Sequence, residues 1–463
     1  MKNVLLIDFG STYTKLTAVD VEKEEILGTA SAFTTVETDI NDGLTAGLEL
    51  LKEKIGEVSF ESCYACSSAR GGLRMVTSGL VPELTGEAAK LASLGAGAKV
   101  VGVYAFMLTE EDVENIAELK PDILLLVGGT DGGNTECILH NAKMISTLTP
   151  SFPIVVAGNR NAARECSKIL SSFEVHVCPN VMPKFGKLDI EPTQKKIREI
   201  FLDSIIQAKG LSQVSKLLSD IMMPTPAAVL QAMELLAKGT KDEPGIGELV
   251  ALDVGGATTD VYSIADGMPE HMNTVFKGLP EPYAKRTVEG DIGMRYSIQG
   301  ILDSAGVERI SALSALEPSR VLELVDYLKE NKDTVPNGNG ELVALDFALA
   351  STAIEEAMTR HAGSIYETYT MMGQTFVQEG KNLTRVKQIV VTGGSLIHTE
   401  KTELIAKHAL FSPQNPGSLK PKQANVWVDR SYILAAMGLL SSYYPDAALR
   451  IMKKELEYHG YSE

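Results

Sequence analysis

Residues 4–8 form an apolar run that ends in a carboxylate, Asp8, and the chain turns at once through Gly10, Ser11 and Thr12 into a second apolar run over 16–19. The same order of residue types returns at 250–264, where Asp253 leads into Gly255, Gly256, Ala257, Thr258, Thr259 and Asp260. An altered version lies near the C-terminus, where residues 388–391 run into Thr392, Gly393, Gly394 and Ser395. Short apolar runs bounded by glycine read as strands, so the first two units are strand, tight turn, strand. Glycine permits the sharp turn, and the Ser and Thr hydroxyls lie beside backbone N–H groups. Such a turn can cradle phosphate, with the carboxylate placed to hold a hydrated metal. One such turn would be weak evidence, since many hairpins look alike. Two Asp-ended copies followed by a strand–Gly–Gly–helix unit constrain the chain far more.

At 463 residues there is room for two to four domains and a sizeable core. The formal net charge of −17 argues against a general nucleic-acid binder and against an anionic membrane surface. It leaves ATP open, because local backbone and metal bind a nucleotide. Five scattered cysteines suit a reducing cytosol, so a cytoplasmic location is expected. Cys63 and Cys66 form a lone CxxC on an expected strand, read as reduced, partly buried thiols. No signal peptide opens the chain, and no uncharged run approaches the roughly 18 residues needed to span a bilayer.

In chain order, a third strand is expected near 25–32, a helix over 42–54 and a strand over 61–67. Arg70 to Arg74 reads as a turn with two cations. From there strands (99–105, 122–127, 153–157, 174–178) alternate with helices (84–92, 110–118, 136–147, 162–170), which implies a small parallel sheet with right-handed crossovers. Ligands of such sheets sit outside the carboxyl ends of the strands. The loops 130–134 and 158–161 should lie there side by side, either as a binding edge or as tight turns with Asn134 or Thr135 capping a helix. Residues 193–218 read as a helical linker interrupted by Gly210. Pro224-Thr225-Pro226 opens an apolar helix. Residues 285–295 are polar and glycine-rich, and either reach back towards a nucleotide or form a solvated loop. Helices dominate 308–331 and 342–363, with His361 expected in a solvated or dipole-paired position. Trp427-Val428-Asp429 precedes an Ala- and Leu-rich helix, and the last residues read as an amphipathic tail.

The motifs Asp8-Phe9-Gly10-Ser11-Thr12, Pro224 to Ala228, Asp253 to Asp260 and Val391 to Ser395 resemble, in order, the phosphate 1, connect 1, phosphate 2 and adenosine motifs of the actin-like ATPase superfamily. More narrowly, the chain resembles the glutamate mutase (methylaspartate mutase) accessory protein family, the MutL family unrelated to the mismatch-repair protein. The stretches 67–76, 125–134 and 287–291 join the resemblance, which runs nearly end to end. It implies an α/β, two-lobed actin-like ATPase of duplicated ribonuclease H-like domains, with an inserted α/β domain carrying the small parallel sheet. The implied boundaries are 1–70 for the first half of the ATPase, 71–190 for the insert, 191–222 for the linker, 223–445 for the remainder and 446–463 for the tail.

The family members are taken to be ATP-dependent reactivators of adenosylcobalamin-dependent mutases. The resemblance therefore implies ATP and Mg²⁺ as cofactors, glutamate mutase as partner, and a slow ATPase acting as a chaperone through nucleotide-gated lobe closure. Asp8 and Asp253 resemble the carboxylates that hold hydrated Mg²⁺ and order the attacking water. Gly10, Ser11, Thr12, Gly255, Gly256, Thr258 and Thr259 resemble the phosphate clamps, and Lys15 falls where relatives place a basic residue. Gly393, Gly394 and Ser395 resemble the approach to adenosine, and Asp429 an acidic residue before the last helix. Ala257 replaces a usual glycine, awkward if φ must be positive. Met223 stands where chaperone relatives carry an acid. Both departures suit a slow switch better than a fast kinase. A small-molecule kinase, a nucleotide-dependent filament protein and an iron–sulfur redox activator using Cys63 and Cys66 are the competing readings. An aminomutase is an alternative client.

Overall fold

The computed structural model describes residues 2–10, 13–33, 40–68, 73–208, 220–270, 273–336, 338–370 and 373–460. Ser11, Thr12, Arg70 and Gly210, singled out above, lie outside them. The chain divides into two compact units: Met1–Ala232 with Gly278–Pro280 and Ile433–Ile451, and Met233–Lys277 with Glu281–Tyr432 and Met452–Glu463.

The first unit opens with strands β1 (Asn3–Phe9), β2 (Tyr13–Asp20) and β3 (Glu25–Phe33), helix α1 (Ile40–Ile55) and β4 (Ser62–Ser67). An inserted run follows: β5 (Arg74–Gly79), α2 (Glu87–Gly95), β6 (Lys99–Ala105), α3 (Glu110–Leu119), β7 (Ile123–Leu126), α4 (Glu136–Ile145), β8 (Ile154–Val156), α5 (Arg160–Ile169) and β9 (Val175–Val177). Then come α6 (Glu191–Ala208), β10 (Asp220–Pro224) and α7 (Thr225–Lys238). The main sheet has the order β10-β4-β1-β2-β3, antiparallel through β1, β2 and β3 and parallel through β1, β4 and β10. Period-2 alternation sends Leu5, Ile7 and Phe9 into the core and leaves Asp8 on the opposite face. On that face Tyr64 of β4 stacks on Tyr443 with ring centres 4.1 Å apart.

The insert sheet runs β6-β5-β7-β8-β9 and is parallel throughout. Numbered within the insert this is 2-1-3-4-5, a doubly wound order. Residues of α3, α4 and α5 pack on one face and residues of α2 and α6 on the other. Of the turn expected over 70–74, residues 70–72 lie outside the described residues, and Arg74 opens β5, the strand on which this order hinges. Helix α6, in the stretch read as a linker, buries Ile197, Ile200 and Phe201 in the core shared by the insert and the main sheet.

The second unit contains β11 (Leu249–Val254), β12 (Thr259–Ile264), β13 (Thr274–Lys277), β14 (Ala284–Glu289), α8 (Ile298–Ala305), α9 (Val307–Ser314), α10 (Pro318–Glu330), α11 (Gly340–His361), β15 (Ser364–Thr370), β16 (Gly373–Glu379), β17 (Gln388–Thr392), α12 (Gly394–Ile397), α13 (Thr402–Ala406) and β18 (Asn425–Val428). In the chain, α14 (Leu434–Ser441), which belongs to the first unit, and α15 (Pro445–Glu455) follow, and β19 (Glu457–His459) is the last strand. The sheet order is β14-β12-β11-β17-β18-β19. Its first five strands repeat the first unit's pattern: three antiparallel strands, then two parallel ones. This repeated order is the duplicated ribonuclease H-like arrangement of an actin-like ATPase, with the α/β insert between β4 and β10. A separate sheet, β13-β16-β15, completes the unit.

Two expectations are corrected here. His361 is not solvated, and burial pushes its pKa well down, which removes the charge that a helix dipole would pair with; its Nδ1 lies 2.7 Å from Thr287 Oγ1. Residues 284–289 are a strand, not a solvated loop; Lys285 and Arg286 are both buried, on opposite faces of β14.

Candidate nucleotide site

Each unit carries one of the two candidate glycine turns, and the described ends of both are closed by the same kind of hydrogen bond. In the first, the Gly10 amide donates to Tyr13 O at 3.1 Å. In the second, the Gly255 amide donates to Thr258 O at 2.9 Å. A Cβ would come within 2.5 Å of Tyr13 O at Gly10 and 3.0 Å of Thr258 O at Gly255, so the chain needs glycine where it doubles back.

The second turn is held from behind by the segment after β14. Met294 N donates to Gly255 O (3.0 Å), Arg295 N and Tyr296 N donate to Gly256 O (2.9 and 2.8 Å), and Ser297 Oγ donates to Ala257 O (2.7 Å). Three successive carbonyls are thereby committed to one side. Among the described residues no acceptor meets the amides of Gly256, Ala257 and Thr258, and Gly256 and Ala257 are exposed. Exposed successive amides with their carbonyls turned away form an anion-binding concavity. The supporting segment is itself anchored. Arg295 makes a forked pair with Asp346 of α11 at 3.0 and 2.9 Å, and the Thr259 hydroxyl donates to Ile292 O at 3.1 Å. Thr259 is thus buried and committed to this support, while Thr258 stays half-exposed at the turn. The awkwardness expected at Ala257 does not arise, since neither it nor Gly255 or Gly256 sits at positive φ.

Sheet register places the site carboxylates. Asp8 lies opposite Lys15 on β2 and beside Cys66 on β4, with Met223 of β10 next in the row. Its Oδ1 accepts from Thr225 Oγ1 at 2.6 Å and from Cys66 Sγ at 3.4 Å. Thr225 opens α7, so the helix after Pro224 is positioned by the same carboxylate. Burial, reinforced by Asp8, pushes the Cys66 thiol well up and keeps it unreactive. All five cysteines are free and none is fully exposed, so Cys63 and Cys66 are reduced thiols on a buried strand.

In the second unit Asp253 lies opposite Asp260 on β12 and beside Thr392 on β17. Thr392 Oγ1 donates to the buried Asp429 at 3.2 Å. The two glycines after Thr392 differ. Gly393 has φ +105°, and a Cβ there would stand 2.3 Å from Val254 O, so this close approach is to β11. Gly394 is exposed, and a Cβ there would meet nothing closer than Tyr432 Oη at 3.8 Å, with Ser395 half-buried beside it. The polar stretch 285–295, read as either reaching back towards a nucleotide or forming a solvated loop, holds Arg286 and Arg295, though the sequence assigns neither a role. Tyr262 and Ser297 are not singled out by it, and nothing local to them marks them as contributors.

Among the described residues no three His, Cys, Asp or Glu side chains converge as a metal site. A magnesium ion that keeps most of its water and takes phosphate oxygens needs only one or two carboxylates. Asp8 and Asp253, one in each unit, are each a carboxylate of the kind such an ion takes.

A family model described as MutL protein matches residues 4–456. The chain belongs to the MutL protein family. Protein MutL of Clostridium tetanomorphum is 48% identical over 460 residues, covering 98% of this chain and 99% of that protein. Among solved structures, xylulose kinase from Bifidobacterium adolescentis aligns over 100% of this chain and 96% of its own, at 11% identity and a TM-score of 0.36. The activator of the 2-hydroxyisocaproyl-CoA dehydratase from Clostridium difficile, with bound ADPNP, aligns over 98% of each chain at 11% identity and a TM-score of 0.34. Likenesses this distant carry no functional argument, and the fold rests on the sheet order. No helix among the described residues is long and apolar enough to cross a membrane.

Proposed function

We propose that this chain is an ATP-dependent accessory and reactivating protein for an adenosylcobalamin-dependent mutase, with glutamate mutase as the client to test first. The observation behind the nucleotide part is the second phosphate turn, with three carbonyls tied to residues 294–297 and its amides exposed. Membership of the MutL family supports the mutase part. Gly10, Ser11, Thr12 and Lys15 in one unit, and Gly255, Gly256 and Thr258 in the other, would bind phosphate oxygens, with Thr259 steadying the second turn. Gly393, Gly394 and Ser395 would border the adenosine. Asp8 and Asp253 are the residues we assign to the hydrated Mg²⁺. When bound, the ion would supply charge neutralisation at the phosphates. Met223 brings no carboxylate to this row, in keeping with slow turnover and a nucleotide-gated switch that releases damaged cobalamin.

The test is recovery of cobalamin-inactivated glutamate mutase with this protein plus Mg·ATP, without nucleotide, and with Asp8→Ala. Recovery that needs both ATP and Asp8 is expected. Mg·ATP turnover with no recovery would overturn the mutase assignment, and absence of nucleotide binding would overturn the whole reading.

A further inference from the structure

Asp253 and Asp260 face each other across the β11–β12 ladder, where directly opposed side chains sit about 5 Å apart at Cβ. Like charges so placed repel, and the half-buried setting of Asp253 weakens the screening. A third group resolves the conflict. Arg286 of β14 is only 4% exposed; its Nε donates to Asp260 Oδ1 at 2.7 Å, and its Nη2 lies 2.5 Å from the same oxygen. It also bonds the buried Tyr262 phenol, its neighbour in the β12–β14 register. The second oxygen of Asp260 accepts from Thr258 Oγ1, at 3.4 Å. Thus one guanidinium is linked through Asp260 to the phosphate turn and to the strand bearing Asp253.

β14 is also gripped from its other face. Lys285 donates to both oxygens of Glu281 at 2.8 Å and to His361 O at 2.9 Å. Arg360 of α11 bonds Glu289 and Asp291 at 2.9 Å. The strand that presents Arg286 is therefore fixed on both sides before any ligand arrives.

We propose that Arg286 is a positioning residue of the nucleotide site: by neutralising and orienting Asp260, it keeps Asp253 available to Mg²⁺ and, through the bond from Thr258 Oγ1 to Asp260, holds the Thr258 backbone amide in place at the turn. This rests on the nucleotide reading above. The guanidinium is too deeply buried to touch the ligand itself. Its effect on binding has to pass through Asp260, which distinguishes it from a phosphate-binding arginine.

The experiment is calorimetric titration of the full chain with a non-hydrolysable ATP analogue, with saturating Mg²⁺ and with chelator, for the parent, Arg286→Met, Arg286→Lys and Asp260→Asn/Arg286→Met. Arg286→Met leaves a buried carboxylate unpaired beside Asp253. Losing such a supporting contact should weaken Mg-dependent binding about 10- to 100-fold. Arg286→Lys should fall between, keeping the charge and losing the fork. The double variant removes both charges and should recover most of the lost affinity. A merely structural role would weaken binding alike with saturating Mg²⁺ and with chelator, whereas a role through Asp253 weakens the Mg²⁺-dependent part alone. Parent-like binding by Arg286→Met, or a double variant no better than the single, overturns the proposal. Should Arg286→Met not fold, Arg286→Lys and the double variant still decide. A parent chain that binds no analogue would instead remove the nucleotide reading itself.

Discussion

Adjacent glycines in the third motif should behave in opposite ways. Gly393→Ala places a methyl at φ +105°, a region that L side chains rarely adopt, and 2.3 Å from Val254 O. The backbone term is about 1–3 kcal/mol. The steric term adds about 1–3 kcal/mol, because the obstacle is backbone and cannot rotate away. Relief would require β17 to part from β11, yet these strands are paired from Leu249/Gln388 to Asp253/Thr392 in a buried sheet. The expected loss is therefore about 2–6 kcal/mol, a large share of the roughly 5–15 kcal/mol that a domain has. Gly394→Ala meets nothing closer than 3.8 Å and is not at positive φ. It should be neutral or more stable by up to about 1 kcal/mol, through a less flexible unfolded chain. Urea unfolding of both variants, followed by circular dichroism, measures the contrast. If Gly393→Ala costs less than about 1 kcal/mol, or Gly394→Ala costs as much as its neighbour, the account of this turn in terms of backbone approach is wrong. The same proteins separate stability from binding: Gly394→Ala should keep its fold while weakening ATP, if that exposed glycine borders adenosine.

Three further outcomes are expected. Burial lowers the Lys381 pKa to about 7 from 10.5, while its ammonium donates to Tyr283 O at 2.7 Å and lies near Glu281, Lys285, Glu248 and Asp266. Between those two values the unfolded chain holds the extra proton, so this group makes stability rise with pH across the window, by on the order of 4–5 kcal/mol at most. Urea midpoints at several pH values should show the rise flattened in Lys381→Met; an unchanged slope would refute it. Thr225→Val removes the 2.6 Å donor to Asp8 and should cost about 1.5–3 kcal/mol, with Thr225→Ser close to the parent; equal stability of Val and Ser would count against the bond. Finally, a thiol reagent should label Cys178 first in the native protein and the four buried cysteines only on unfolding. Rapid labelling of Cys63 or Cys66, or iron in the purified protein, would reopen the iron–sulfur alternative.

How far the site could be read from the residues depends on which contacts are local. The Asp–Gly turns declare themselves because turn and strand chemistry lie within about a dozen consecutive residues. The insert's rhythm is legible for the same reason, apart from β5, whose few apolar residues follow directly on Gly71 and Gly72 in the sequence. The loops 130–134 and 158–161 do lie side by side: Asn159 bonds Gly132 N, Gly133 O and Asn134 O, and Asn180 bonds Gly129 O and Asp131. Asn134, rather than Thr135, caps α4 by accepting from Cys137 N at 3.1 Å. The short strands β13–β16 escaped notice because they mix charged, Thr and Gln residues without a clean alternation.

From the order of residue types alone come the repeated Asp-ended hairpins, the parallel insert and the family, since each depends on neighbours in the chain. Packing alone decides which polar residues serve the site. Arg286 and Lys285 are adjacent cations in a polar stretch, and only the pleat sends one to Asp260 and the other to α11. His361 is buried because β14 covers the end of α11, and Gly393 is indispensable because β11 passes within van der Waals distance. These roles arise from residues tens of positions apart, joined only when a buried charge must find its partner and a backbone must make room for another.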